Sequence, residues 1–423
     1  MTYSSSAVPS ALWHPFSNMA AVSGNEFVVD RAKGVRVYDA AGREYLDATA
    51  SLWCVNVGHA RPEISKAIAT QLDRLDSFSI FGDYSNRPAM DLADRLSDLA
   101  PVDNGKVLFG SGGGDGVDTA ARLARQYFNV TGQPEKTHII SRRGGYHGTH
   151  GWGVSLAGID ANRAGNGPMV PHVTQIEHED PAALEAEIQR VGADKVAAFF
   201  CEPVIGSGGV FPPAENYLER VADICSRNGV LLVIDSVICG FGRLGSWFGI
   251  ERWSVRPDII IFAKGVSNGT LPLGGIVVSD AVAEPFWSGS AGAFRHGATY
   301  SGHPVCAVAG SATIDVLEKD NLFEQGRILE KPLADRIETL ADHPVVDAVR
   351  AGTGLIAGVE LKPEVLADNP AAVGQAFGAA REAGVLTRPL VTSLALSPPL
   401  TITEAELDTI VGGVRAGLDA INR

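Results

Sequence analysis

Cysteine is scarce in this chain of 423 residues: there are five, Cys54, Cys201, Cys225, Cys239 and Cys306. Their odd number, wide spacing and lack of any C-x-x-C pair argue against a disulfide framework and fit scattered buried thiols in a reducing compartment. Basic residues are also short, 35 Lys+Arg against 49 Asp+Glu, for a formal charge of −14. A nucleic-acid or membrane-surface binder wants clustered Lys and Arg, so neither nucleic acid nor membrane is an expected partner. No apolar run approaches the roughly 18 residues of a membrane helix. Met1 to Phe16 has no basic stretch ahead of an apolar one, so no signal peptide is expected, and a cytoplasmic location is. Collagen-like G-X-Y periodicity, internal repeats, low-complexity tracts and long linkers are missing as well.

What is present is a balanced globular composition, 45% hydrophobic and 20% charged, with 48 glycines. That balance excludes intrinsic disorder. The length exceeds the roughly 250–300 residues at which a single core stops growing, so two or more subdomains are expected. The glycines gather in short segments, 110–116, 144–153, 206–209, 240–249, 265–275 and 297–302.

Through the middle of the chain, short continuous apolar runs alternate with helix-period segments. Val107–Phe109, Ala197–Cys201, Leu231–Ile234 and Ile259–Phe262 predict interior strands of a parallel sheet. Val117, Ala120, Ala121, Ala124, Tyr127 and Phe128 mark one face of a helix between two of them. This alternation predicts an α/β core with a mostly parallel sheet covered on both faces. Towards the end the pattern changes. Val345–Leu361 has strand character, Ala371–Ala383 reads as a helix, and Thr403-x-x-Glu406 forms a capping box that opens a last helix. Near the start, Val35–Tyr38 and Glu44–Asp47 flank Gly42 like a hairpin. The expected division is a segment 1–70 contributing to a small domain, a large domain 71–324, and a C-terminal part 325–423 that completes an α+β small domain.

Three features carry chemistry. Gly110-Ser-Gly-Gly-Gly-Asp-Gly116 lies between a predicted strand and a predicted helix, where bare backbone N–H groups and the helix N-terminus suit an anion. It is neither a P-loop nor G-x-G-x-x-G, and alone it could be only a flexible turn. Asp235 directly follows the buried run Leu231–Ile234, at the sheet edge where open α/β folds bind ligands; alone it could be a loop aspartate. Lys264 ends the run Ile259–Phe262 and precedes Gly265, a setting in which desolvation favours the neutral, nucleophilic amine; alone it could snorkel to solvent. Together, an anion cup, a carboxylate and an amine are the fixtures that pyridoxal phosphate requires. They hold its phosphate, its ring nitrogen and its aldehyde carbon.

Over essentially its whole length the sequence resembles the class III (ω-type) aminotransferases of fold type I, of the amine:pyruvate kind. The resemblance is carried by Leu12-Trp-His-Pro-Phe16, Ser51-Leu-Trp-Cys-Val-Asn-Val-Gly-His59, Gly145-Tyr-His-Gly148, Glu202-Pro203 and Asp235-Ser-Val-Ile-Cys-Gly-Phe-Gly-Arg-Leu-Gly245. It continues through Phe262-Ala-Lys-Gly-Val-Ser267, Thr299-Tyr-Ser-Gly-His-Pro304 and Ser397-Pro-Pro-Leu400. It implies pyridoxal 5′-phosphate as cofactor, with Lys264 as the Schiff-base lysine and proton shuttle and Asp235 as partner of the pyridine nitrogen. Val237 is implied to pack under the ring and Tyr146 to stack over it. His147 follows Tyr146 in the motif, and Glu202 is an acid near the pocket. Ser111, Gly112, Gly113 and Gly114 surround the phosphate. Thr299 is implied to reach the phosphate of a partner subunit, so a homodimer with shared sites is expected. His147 and His150 form an i,i+3 pair, but no further ligands are evident, so no metal site is expected.

Two departures stand out. The family reads Ser-Gly-Ser-Glu where this chain has Gly112-Gly-Gly-Asp115, so a hydroxyl usually offered to the phosphate is gone and weaker cofactor retention is expected. Ser236 stands where Glu usually follows the aspartate. For the substrate, Trp53 resembles the pocket aromatic of amine:pyruvate enzymes, and Arg388 the arginine that binds a carboxylate bidentately. The expected activity is a ping-pong transfer of an amino group from an amine or ω-amino acid to a keto acid such as pyruvate. An aminomutase or decarboxylase with the same fixtures, or a non-catalytic relative, are the rival readings.

Overall fold

A computed structural model describes residues 10–422; residues 1–9 of the expected N-terminal segment, and Arg423, lie outside the described residues. At the centre is a seven-stranded sheet. In chain order its strands are β1 (Lys106–Gly110), β2 (His138–Arg142), β3 (Val173–Ile176), β4 (Val196–Cys201), β5 (Leu231–Asp235), β6 (Ile259–Phe262) and β7 (Gly274–Val278). Their spatial order is β1-β7-β6-β5-β4-β2-β3, with β7 antiparallel to both its neighbours and the remaining pairings parallel. The four apolar runs singled out in the sequence are β1, β4, β5 and β6. Every residue of β4, β5 and β6 is buried, as expected of strands covered on both faces. Each fully buried Ile or Phe in these strands contributes about 1.5–3 kcal/mol over its exposed state.

The helix Gly113–Val130 leaves the end of β1 and packs Val117, Ala120, Ala121, Ala124 and Phe128 onto the sheet, as the periodicity predicts. It comes in close because of glycine. A Cβ on Gly116 would lie 2.7 Å from Ile261 Cγ2 and 2.8 Å from the Gly275 carbonyl oxygen. Both termini build outlying sheets. Val29–Lys33, Arg36–Asp39 and Glu44–Asp47 form a meander whose edge pairs in parallel with Val385–Leu386 from the C-terminal part. Val346–Arg350, Ala357–Leu361, Ser393–Leu396 and Arg388–Pro389 make a third, antiparallel sheet. The closing helix, Glu404–Ile421, starts on the capping box of Thr403 and Glu406 read from the sequence. Among the described residues no helix is long and apolar enough to cross a membrane.

Arg243 ties these parts together. It is fully buried, and burial pushes its guanidinium down to about 10. It donates to the carbonyls of Leu355 and Pro398 at 2.8 and 2.6 Å and to Asn56 Oδ1 at 2.9 Å. Asn56 in turn donates to the Phe241 carbonyl at 2.8 Å. Three distant stretches of chain therefore meet on one cation. Replacing Arg243 by Met removes all three donors and strands buried acceptors, which should cost about 3 kcal/mol or more in chemical denaturation. A variant that unfolds within about 0.5 kcal/mol of the parent, the range of neutral surface changes, would contradict this role.

Candidate active site

The carboxyl ends of β1, β5 and β6 open into one cavity of about 440 Å³. Its walls include Ser111 to Gly114, Tyr146 to His150, Glu202, Asp235, Val237, Ile238 and Lys264, with Leu52 and Cys54 from the N-terminal segment. Widely separated sequence motifs thus converge where open α/β sheets bind ligands.

On one side lies the glycine cup. The ladder of the helix Gly113–Val130 begins with Gly116 N–H donating to the Gly112 carbonyl at 3.2 Å, so the amides of Gly113 and Gly114 precede it, unpaired by helix geometry. These amides and the helix dipole make a site for an anion. Gly113 is required by packing, since a Cβ there would lie 2.9 Å from Val237 Cγ2. Gly112 is not: it is extended, with open space around a hypothetical Cβ. The Ser111 N–H is already spent on Asp115 Oδ2 at 2.7 Å.

Asp235 ends β5 and is 4% exposed. Its Oδ2 meets His147 Nδ1 at 2.8 Å, and its Oδ1 accepts from Val237 N–H at 3.1 Å. His147 is sealed, with Nε2 unpaired and its ring edge-on to Phe200. Glu202, after β4, is likewise buried. It accepts from Tyr146 N–H at 3.0 Å and Gly206 N–H at 2.9 Å, which fixes the loop that carries Tyr146 and His147. Desolvation pushes Glu202 up; the neighbouring His147 opposes this and Asp235 adds to it. Ser236 is wholly buried with its hydroxyl unpaired.

Lys264 opens a 3₁₀ turn just past β6 with φ of 48°, a left-handed conformation that costs a non-glycine residue about 1–3 kcal/mol. Desolvation lowers its pKa from the usual lysine value, and Asp235 partly restores it. The turn is held by Asn268, which accepts from Val57 N–H and donates to the Gly58 carbonyl, both at 2.9 Å. Tyr146 is partly buried, with its phenol raised by desolvation and Phe16 edge-on at 6.5 Å. Arg388 lies on the short strand Arg388–Pro389. Desolvation lowers its guanidinium, and the Tyr146 phenol opposes that shift.

Three expected site residues are absent from this cavity's walls. Trp53 is 2% exposed and packed with Val204, Val210 and Ile356, and with Ile238 of the cavity wall. Positive φ values at Ala50, Ser51 and Trp53 turn the segment, so that Leu52 and Cys54 face the cavity instead. Arg388 stands outside the cavity's lining, near enough to influence both Tyr146 and Lys264 electrostatically. Thr299 is exposed and lines no part of this chain's own cavity. His150 goes the other way. The sequence offers it only as half of a rejected metal pair, whereas the structure parts it from His147 and lays it on the cup.

Comparison with known proteins bears directly on this arrangement. A family model for class-III aminotransferases matches residues 19–417. The putrescine–pyruvate aminotransferase of Pseudomonas aeruginosa is 35% identical over 415 residues, covering 93% of this chain and 90% of that one. The omega-aminotransferase of Caulobacter vibrioides is 35% identical, with 97% and 98% covered. Among solved structures, an (S)-enantioselective omega-transaminase from Thermomicrobium roseum superposes with a TM-score of 0.91 at 35% identity, covering 97% of this chain and 96% of that one. A PLP-bound amine transaminase from an uncultivated Pseudomonas species reaches a TM-score of 0.92 at 33% identity, with 98% and 99% covered.

Proposed function

The chain belongs to the class-III aminotransferases, and from that premise we propose that it moves an amino group from a terminal amine or ω-amino acid to pyruvate. Amino transfer to a keto acid on pyridoxal 5′-phosphate is its chemistry. The observation that carries the site assignment is the convergence of Lys264, Asp235 and the Gly112–Gly114 cup on a single cavity. Those groups fit the cofactor. Unpaired amides suit its phosphate, an ionisable carboxylate backed by His147 suits its ring nitrogen, and Val237 and Tyr146 offer two flat-packing faces.

When bound, the cofactor supplies an aldehyde carbon for amine condensation and a conjugated ring that takes up electron density from the substrate's Cα. The protein's own part is positional and protolytic. Gly113 and Gly114 hold the anionic end, and Ser111 and Gly112 complete the cup. Asp235 keeps the ring nitrogen protonated, and His147 holds Asp235 in place through Nδ1. Glu202 fixes the loop that carries Tyr146. Lys264, neutral at lower pH than a free lysine, offers its lone pair as nucleophile and then carries the proton at the substrate's Cα. The two half-reactions use one site in turn, which makes the kinetics ping-pong. We further propose that the enzyme is a homodimer, in which exposed Thr299 serves the phosphate site of the other copy.

The acceptor choice rests on Arg388, a desolvated guanidinium with no carboxylate among the groups that shift it. A keto acid's carboxylate would form two charge-assisted hydrogen bonds with it. Arg388→Leu should raise KM for pyruvate by roughly 10- to 100-fold while leaving KM for the amine donor nearly unchanged. Equal changes in both would remove Arg388 from acceptor binding. The donor class is tested by a panel of amines assayed with pyruvate. The proposal requires turnover with terminal amines or ω-amino acids, and turnover confined to α-amino acids would refute it.

A further inference from the structure

We propose that His150 is a side-chain ligand of the cofactor phosphate in this chain, occupying the room left by the missing side chains of the glycine cup. The inference rests on the proposed cofactor placement and deepens it. Gly112, Gly113 and Gly114 have no side chains to offer, and the Ser111 amide is engaged by Asp115. A Cβ built on Gly114 would have as its three nearest atoms Cε1, Nδ1 and Nε2 of His150, at 3.2, 3.2 and 3.4 Å. Those three atoms are the nitrogen-bearing edge of the imidazole. A donor edge therefore lies over the second residue of the helix that begins at the cup.

Close backbone approach sets this up. Gly148, with φ of 95°, is so near that a Cβ on it would be 3.2 Å from the Gly114 Cα. The loop of residues 144–150 thus rests directly on the first turn of the helix Gly113–Val130, and His150 is delivered to its rim. Among the described residues that line the cavity, only His147, His150 and Lys264 can carry positive charge. His147 is sealed against Asp235, and Lys264 serves the reacting carbon. His150 is the one that remains for the phosphate.

Charge gives a second reason. Asp115 stands in the first turn of the same helix, with Oδ1 3.6 Å from His150 Nδ1, and Asp118 lies one turn on within its electrostatic reach. His296 faces the same two carboxylates from the segment 293–298. A phosphate set beside Asp115 meets like charge. An imidazole between them donates to one or both, since the neutral ring has one N–H and the protonated ring has two.

The test uses the loaded enzyme and two readouts other than turnover: the rate of cofactor loss to a scavenger, and the ³¹P resonance of the bound phosphate. His150→Ala should release cofactor about tenfold faster, as a half-exposed hydrogen bond to a charged group allows, and should move the ³¹P resonance. Melting of the cofactor-free protein should stay unchanged. In that background Gly114→Ser should restore slow release, because the nearest obstacle to its side chain is gone and a hydroxyl returns. Unchanged release and an unchanged resonance in His150→Ala would overturn the inference alone. So would faster release with the ³¹P resonance unmoved and a lowered melting point, which would make His150 a purely structural partner of Asp115. Failure of the unmodified protein to take up pyridoxal phosphate would overturn the cup assignment and this inference with it.

Discussion

Lys264→Ala should lower kcat by ~10⁴-fold or more while the protein still takes up pyridoxal phosphate. The reason is that the proposed mechanism gives the residue two duties and the cup another. The lysine amine is desolvated, so its neutral form persists to lower pH than in water. Its left-handed backbone directs it from the end of β6 into the cavity instead of continuing the strand. Alanine removes both the nucleophile and the proton carrier. The unpaired amides of Gly113 and Gly114 are untouched, so cofactor should remain bound without its covalent link. Steady-state rates together with ³¹P or absorbance detection of bound cofactor check both halves. Residual activity above about 1% of the parent, far more than the loss of a nucleophile and its proton transfer allows, would exclude Lys264 from the chemistry.

Asp235→Asn should cost roughly 10²–10³-fold in kcat, the scale of losing one aimed electrostatic partner in a shielded site. Asparagine preserves volume and can still accept from Val237 N–H, so the loop after β5 should keep its shape. What goes is the negative charge, which sits at the point assigned to keeping a ring nitrogen protonated. His147 loses its carboxylate hydrogen-bond partner in the same change. The amine of Lys264, which Asp235 holds up, should titrate lower still. A variant with kcat close to the parent's, with cofactor fully bound, would sever Asp235 from the reaction.

Much of this is legible in the sequence, for physical reasons. Ile259–Phe262 and Leu231–Ile234 are continuously apolar because both sheet faces are covered, and the charged residue that closes each run must then lie at the sheet edge. Thr403 and Glu406 announce a helix start by their spacing alone. Gly274–Val278 is another matter. Its two glycines look like a turn, yet they are strand residues whose lack of side chains admits the Gly112 backbone and the backbone of Leu108 and Phe109. Trp53 shows what a motif leaves open. Its segment does reach the cavity, but positive φ at Ala50, Ser51 and Trp53 decides which side chain faces it, and no composition or period encodes that. His150 is visible in the sequence only as a histidine near another. Its meaning depends on Gly114 and Gly148 meeting from two separate stretches of chain.

That this cavity exchanges an amino group between a terminal amine and a keto acid is tested most directly by the visible absorbance of the loaded enzyme, with the two half-reactions followed separately. An excess of a terminal diamine or ω-amino acid should bleach the band of the lysine-bound cofactor, and pyruvate added after removal of the amine should restore it. A band that only α-amino acids bleach, or one that pyruvate fails to restore, would contradict that exchange.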